Sequence, residues 1–405
     1  MNILFPEQSV LTGAASNRLY QPLFKLAELD RRTQILCLKA DAKDKMSDKD
    51  FNNLFWGADV LMTYFPGGPD ENFKELENLK LYNADRIKLG RAPLQYVVDM
   101  DDWLTACSPF NESFVFTGTE EKAFTFENDA GEVYEKKWFQ GDTVKMRDKD
   151  VAFDIERNKK LVEAKHNYIK GAHAVTVTTD ALAEKVRTLN PNVYVLPNAI
   201  DFELYEPLPK NGKEIRIGYV YSGSHRIDWL DLLPYLREVI NKTPFIKLVL
   251  MGAMPVVTGL EMNKIEFHPY VNILDGYHKA FSNLRLDIGI CALFEDEFNS
   301  CRSELKMNEY AAVKAAPLVP EFLYGKYAKD GKTALVYKNK KEFVEKLKLL
   351  IWEKQTRNKI AEEAFTYTKQ NYDINVIAPK YYEAFEKIME KGRCFENEEA
   401  ACITV

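Results

Sequence analysis

The stretch LDIGICALFEDEFNSCRSELKMNEYAAVKAAPLVP (286–320) decides the fold. It opens on a near-continuous apolar run, LDIGICAL (286–293), of the kind that makes a strand buried on both faces. A polar segment that starts a helix follows, and then a second short apolar run, APLVP (316–320). Strand, helix and strand in that order read as a crossover unit with parallel strands.

The same alternation continues on both sides. Upstream lie IRIGYVYS (215–222), FIKLVLMG (245–252) and KIEFHPY (264–270), and downstream lies TALVY (333–337). The N-terminal half repeats the rhythm with MNILFP (1–6), TQILCLKA (33–40), ADVLMTYFP (58–66), LQYVVDMDD (94–102), AHAVTVTT (172–179) and VYVLPNAID (193–201). Helical patterns such as NRLYQPLFKLAEL (17–29) and DALAEKVRTL (180–189) lie between them. The expected architecture is therefore α/β, with two Rossmann-like doubly wound domains joined near 200–214, where the linker EPLPKNGKE (206–214) falls. Domain bounds of 1–205 and 206–375 follow, with a last segment, 376–405, that carries the helical pattern YYEAFEKIMEK (381–391). One region breaks the rhythm. Residues 107–150 are rich in aromatics, Glu and Lys, and KAFTFENDAGEVYEKKWF (122–139) reads as a β-hairpin turning at Asn128–Gly131. This region reads as an insertion on the N-terminal domain.

Composition bounds the function. A chain of 405 residues with 46% hydrophobic and 29% charged residues is globular and suits two domains. A net charge of −6 gives no global basic field, so nucleic acid is not the favoured partner. No apolar run is long enough to span a membrane, and the start MNILFPEQSVLTG does not read as a secretion signal. The six cysteines are scattered without a CxxC pair, which suits reduced thiols in the cytoplasm and argues against a zinc site. The tail Cys402-Ile-Thr-Val405 fits a prenylation pattern only loosely, and a frayed end is the simpler reading.

Parallel α/β sheets bind ligands at the carboxyl ends of their strands, so the strand-to-helix junctions carry the candidate sites. The first junction holds Gly13 and Arg18, where small residues and a cation suit a phosphate. The second holds Asp99, Asp101 and Asp102, carboxylates expensive to crowd unless they serve a cleft, and these are the candidate catalytic acids. No further hard ligand stands near them, so no metal is assigned. The third is Ser222-Gly223-Ser224-His225, whose backbone N–H groups and hydroxyls suit phosphate oxygens. The fourth runs from Asn299, Ser300 and Arg302 to Ser303, Lys306 and Glu309, the last three spaced i, i+3 and i+6 near one helix face. A helix start there offers amides to a diphosphate, Lys306 neutralises it, and Glu309 can accept two hydroxyls of a ribose.

These motifs, in this order, resemble retaining glycosyltransferases of the GT-B fold, in the branch of sucrose- and glycogen-type synthases and bacterial glycan transferases. The resemblance rests on AVTVTTDALAEKVR, VYVLPNAID, IRIGYVYSGSHRID, SELKMNEYAA with APLV, and GKTALVYKNKKEFVEKL. It covers about 170–390 well and the N-terminal half in outline. It implies two domains facing an interdomain cleft, and a final helix that returns to the N-terminal domain. It also implies a nucleoside diphosphate sugar as donor, a hydroxyl acceptor and no required cofactor. Glu309 would meet the ribose, Asn299 to Ser303 and Lys306 the diphosphate, Ser222 to His225 the phosphates, and Pro197-Asn198 would mark the crossing between domains. The sequence also departs from that pattern. Cys301 stands where the family often has a second glutamate, the spacing from Glu309 to the next proline is one residue longer, and Asp99–Asp102 replaces a His-Asp pair. Alternatives are a glycosyltransferase acting on a hydroxylated DNA base, a sugar-nucleotide 2-epimerase, and an inactive sugar-nucleotide binder.

Overall fold

The apolar runs form two six-stranded sheets in which every pairing is parallel. The computed structural model describes residues 1–5, 16–38, 45–64, 74–146, 149–210, 212–273 and 276–403. The first sheet uses β1 (Asn2–Phe5), β2 (Gln34–Cys37), β3 (Val60–Tyr64) and β4 (Gln95–Met100). After β4 come two small antiparallel pairs, β5 (Lys122–Glu127) with β6 (Val133–Trp138), and β7 (Thr143–Met146) with β8 (Lys149–Ala152). The chain then returns with β9 (Ala174–Val177) and β10 (Val193–Val195), giving the order β10-β9-β4-β3-β1-β2. The second sheet comprises β11 (Ile215–Tyr221), β12 (Ile246–Gly252), β13 (Ile265–Pro269), β14 (Ile288–Ile290), β15 (Ala316–Pro320) and β16 (Leu335–Tyr337), in the order β13-β12-β11-β14-β15-β16. In each sheet the strand order reverses direction next to the first strand of the series, the layout of a doubly wound fold.

The chain divides into two units. Unit 1 is Met1–Trp103, Lys160–Ala199 and Ile374–Val405, and unit 2 is Leu104–Lys159 with Ile200–Asp373. The segment read from sequence as an insertion on the N-terminal domain thus groups with the second sheet. The hydrogen bonds explain why. Asn128 Nδ2 donates to Leu230 O at 3.2 Å, Arg237 Nη1 donates to Glu132 Oε1 at 2.6 Å, and the Phe126 ring meets Phe294 edge-on at 5.6 Å. The hairpin itself is as expected, with Phe126 opposite Tyr134 and Gly131 in the left-handed region that closes the turn (φ +74°). Its floor is a small aromatic core of Val115, Trp138 and Phe153.

The cores follow from strand alternation. Along β12, Ile246, Leu248 and Leu250 join one apolar cluster while Val249 and Met251 join another, so both faces of the sheet are covered. The Arg226–Lys242 helix supplies Trp229, Leu230, Leu232, Leu233 and Leu236 to the first cluster. In unit 1, the Ile374–Ile403 helix lays Ile377, Tyr381, Phe385 and Ile388 against Ile3, Phe5, Leu19 and Leu23. Gly252 ends β12 at φ +113°, and a Cβ there would stand 2.1 Å from Tyr221 O. Only glycine lets the ends of β11 and β12 approach this closely, with Ala253 N donating to Tyr221 O at 3.0 Å.

Candidate functional site

The turn after β11 is organised around one buried carboxylate. Asp228, 2% exposed in the first turn of the Arg226–Lys242 helix, accepts from Phe294 N at 2.8 Å and from Asn299 Nδ2 at 2.9 Å through Oδ1. Its Oδ2 lies 2.7 Å from His225 Nδ1. Asp228 therefore ties together the Ser222–His225 turn, the loop after β14 and the short Glu297–Ser300 helix. Arg302 Nη1 stands across the imidazole, 3.2 Å from Nε2 and 3.3 Å from Nδ1. Burial pushes the His225 pKa down, Arg302 and Lys306 add to that, and Asp228 opposes it. Arg302 itself lies over the Phe298 ring at 5.2 Å. Ser222 and Ser224 bring their hydroxyls within 2.7 Å of each other on the open side of the turn.

The second half of the site is placed by Tyr310. Its ring fills the space that a side chain at Gly289 would need, since a Cβ there would be 2.1 Å from Tyr310 Cγ. Val220 N donates to the Tyr310 hydroxyl at 3.1 Å, and that hydroxyl donates to Gly218 O at 3.3 Å. A fully buried ring therefore pins the Leu305–Ala312 helix onto β11 and β14. The residue before it, Glu309, is 2% exposed. Glu309 Oε2 accepts from Lys306 Nζ at 2.7 Å and Oε1 from the Tyr205 hydroxyl at 3.0 Å, and Tyr277 also donates to it.

The single helix expected over this motif is two. Glu297–Ser300 ends at Cys301, and Leu305–Ala312 begins after Glu304. Glu304 is 2% exposed, burial raises its pKa, and Tyr372 donates to it. Its chain fold at Cys301–Glu304 breaks the helix, so Ser303 precedes the first helical turn. Asn299 and Ser300 are partly committed locally: Asn299 Nδ2 also donates to Phe294 O at 2.9 Å, and the Ser300 hydroxyl to Glu297 O at 2.8 Å. The buried Asn299 Oδ1 has no partner among the described residues.

Unit 1 gives its predicted residues different work. Arg18 and Asp99 are both fully buried and pair with each other, Arg18 Nη2 to Asp99 Oδ1 at 2.7 Å and Nε to Oδ2 at 3.1 Å. Arg18 also donates to Leu196 O and to the Tyr381 hydroxyl, and Thr176 donates to Asp99. The hydrogen-bonding groups of Arg18 and Asp99, expected at a phosphate and a catalytic cleft, are thus engaged with each other and with their neighbours in the core. Asp101 is different. It lies partly buried just beyond β4, and its pKa is raised to about 7 by burial and by Asp102, while the Tyr64 hydroxyl donating to it acts the other way. Asp102 is partly buried beside it. Among the described residues no three His, Cys, Asp or Glu side chains gather as a metal-binding group. Gly13 and the last two residues of the tail lie outside the described residues.

Sequence reading missed Tyr205, Tyr277 and Tyr310. Only Tyr310 left a trace, a ring adjacent to Glu309 with a glycine in the preceding strand. Asp228 had one too, its i, i+3 spacing from His225.

No protein-family model matches the chain, and no curated protein does. Solved structures do. TarM superposes with a TM-score of 0.50 at 14% identity, over 83% of this chain and 57% of that one. HepE of Anabaena, solved with UDP-glucose, gives 0.55 at 11% identity, over 96% of this chain and 100% of that one. Sucrose-phosphate synthase of Thermosynechococcus elongatus gives 0.56 at 10% identity, over 96% and 99%. The fold is GT-B. This chain spans little more than half of TarM but the length of the other two. The Asp228 hub lies where the chain leaves β11 and β14 of the second Rossmann-like sheet, and Glu309 on the helix between β14 and β15. No helix among the described residues is long and apolar enough to cross a membrane.

Proposed function

We propose that unit 2 binds a nucleoside diphosphate sugar and that the protein transfers the sugar to a hydroxyl acceptor, with retention of anomeric configuration. The observation that carries this reading is the convergence of His225, Arg302 and Lys306 with the buried Glu309 carboxylate. The fold supports it, because GT-B neighbours have been solved with UDP and UDP-glucose bound. Retention rests on the sequence resemblance alone.

The chemistry of the donor follows from these groups. A diphosphate arriving at Ser222–His225 meets hydroxyls and turn amides, and Arg302 and Lys306 supply charge. Glu309 now holds three donors, and a carboxylate offers about four acceptor sites. Moving Lys306 to the diphosphate frees Glu309 to accept ribose hydroxyls, so one event serves both contacts. The same cations would stabilise the departing diphosphate as the glycosidic bond breaks. Within unit 1, Asp101 is the group whose chemistry suits taking a proton from an acceptor hydroxyl, because its pKa lies near neutrality.

Isothermal titration with UDP, GDP, ADP, CDP and dTDP tests the reading. At least one should bind, and Glu309→Ala should weaken that binding about 10- to 100-fold, the range for losing a charged hydrogen bond. Unchanged affinity in Glu309→Ala would remove the assignment. Binding without sugar transfer or donor hydrolysis would favour an inactive binder.

A further inference from the structure

The segment Leu104–Lys159 does more than rest on unit 2. It brings a carboxylate to the Ser222–His225 turn. Glu112 starts the short Glu112–Phe116 helix, which Asn111 caps by accepting from Ser113 N at 2.9 Å. A Cβ added to Gly223 would lie 2.5 Å from the Glu112 carboxyl carbon and 2.5 Å from Oε2. The carboxylate therefore packs directly on the glycine of the turn. The segment is held in that position by the Asn128, Arg237 and Phe126 contacts with the same unit.

Cations stand nearby, alongside the carboxylates of Asp142 and Asp228. Lys136, on β6 of the segment, lies 4.3 Å from the centre of the Trp138 ring and feels the charges of both Arg226 and Glu112. Tyr221, at the end of β11, feels the same two. Glu112 is thus a negative group among Lys136, Arg226 and the turn residues, in the place where an anion would be neutralised. Nothing in the apolar packing calls for it, because the residue is exposed.

We propose that Glu112 is a donor-site residue contributed by the inserted segment, a carboxylate that lies against the phosphate turn and that the diphosphate must displace. This rests on the reading of Ser222–His225 as the diphosphate site. It makes Glu112 a determinant of donor affinity, and the glycine at 223 leaves the room in which that carboxylate lies against the turn.

The test uses the full chain with two probes, inorganic pyrophosphate and UDP, measured by isothermal titration in 50 mM and 500 mM NaCl. Glu112→Gln keeps the shape and removes the charge. It should bind pyrophosphate about tenfold tighter at low salt, the scale of one unit charge a few ångströms away, and the gain should shrink at high salt. Glu112→Ala should gain at least as much, and melting temperatures should stay within a degree or two of the parent because the residue is exposed. Unchanged or weaker pyrophosphate binding in Glu112→Gln overturns the proposal. Glu309→Ala separates the two readings. If it weakens UDP but not pyrophosphate while Glu112→Gln changes neither, the donor site stands and only the role of Glu112 falls. If the parent and both Glu112 variants bind neither probe, both fall.

Discussion

Two clusters of charge lie at or near strand ends in this protein, and they are built in opposite ways. In unit 2, Asp228 is buried so that His225, Asn299 and the loop at Phe294 hold one shape, while Arg302 and Lys306 stay within reach of solvent. In unit 1, the cation and the carboxylate with the best geometry, Arg18 and Asp99, satisfy each other out of reach of water. The two arrangements differ in what the buried carboxylate holds: a network of neutral and polar groups in one, a single cation in the other. In unit 2 the buried partner is an organiser. In unit 1 the pair is the organiser, joining the segment Ser16–Tyr20 to β4, to β9 through Thr176, and to the Ile374–Ile403 helix through Tyr381.

The sharpest way to break this comparison is to remove the carboxylate of the buried Arg18–Asp99 pair. Asp99→Ala leaves Arg18 charged and unpaired in the core, which costs about 3–5 kcal/mol. For a unit of this size that is a fall on the order of 10 °C in melting temperature, read by calorimetry. If Asp99 instead served only a ligand, the variant would melt like the parent. Replacing both partners, as Arg18→Met with Asp99→Leu, should recover much of the loss, because the uncompensated charge disappears.

A smaller effect is expected where the unit 2 site depends on packing. Gly289→Ala drives a methyl into the Tyr310 ring at 2.1 Å and forces the Leu305–Ala312 helix away from β14. Overpacking of this kind costs about 1–3 kcal/mol. The displaced helix carries Lys306 and Glu309, so nucleoside diphosphate affinity should fall together with stability. Tyr310→Phe keeps the ring but removes the bridge between Gly218 O and Val220 N, and should lower stability by about 1 kcal/mol while leaving affinity nearly intact. Equal losses of affinity in the two variants would show that the bridge, and not the ring, positions the helix.

Much of this was legible in the sequence because burial writes itself as apolar runs. Each expected strand formed, down to the three-residue β14 and β16, since the central parallel strands are covered on both faces and show near-continuous apolar runs. The turn at Ser222–His225 and the Lys306–Glu309 pair were legible as well, because spacing on a helix predicts contact. Three things were not. The partner of the inserted segment depends on Asn128 meeting a carbonyl of a helix about a hundred residues later, and no local pattern encodes that. Arg18 and Asp99 are 81 residues apart, so their pairing was invisible and each looked available. The break at Cys301–Glu304 was hidden because Glu304 has ordinary helix propensity, and only its burial against Tyr372 distinguishes it.

The smallest expected effect concerns Asp101, the unit 1 acid that remains partly open. Its pKa is raised from an ordinary carboxyl value to about 7, by burial first and by Asp102 second. Between about pH 4 and pH 7 the folded protein holds a proton that the unfolded chain has released. The folded state therefore binds more protons in that window, and this group's contribution to stability falls as pH rises through it. Asp101→Asn removes the titration and keeps the shape, so the variant should gain on the parent as pH rises, by about 1 kcal/mol or a few degrees at pH 8, with little difference at pH 4. Partial exposure keeps the gain well below the full linkage value. A melting-temperature difference that is flat from pH 4 to pH 8 would show that Asp101 titrates as an ordinary surface acid. It would then have no special suitability for taking a proton from an acceptor, and the contrast between the two strand-end clusters would reduce to the buried Arg18–Asp99 pair alone.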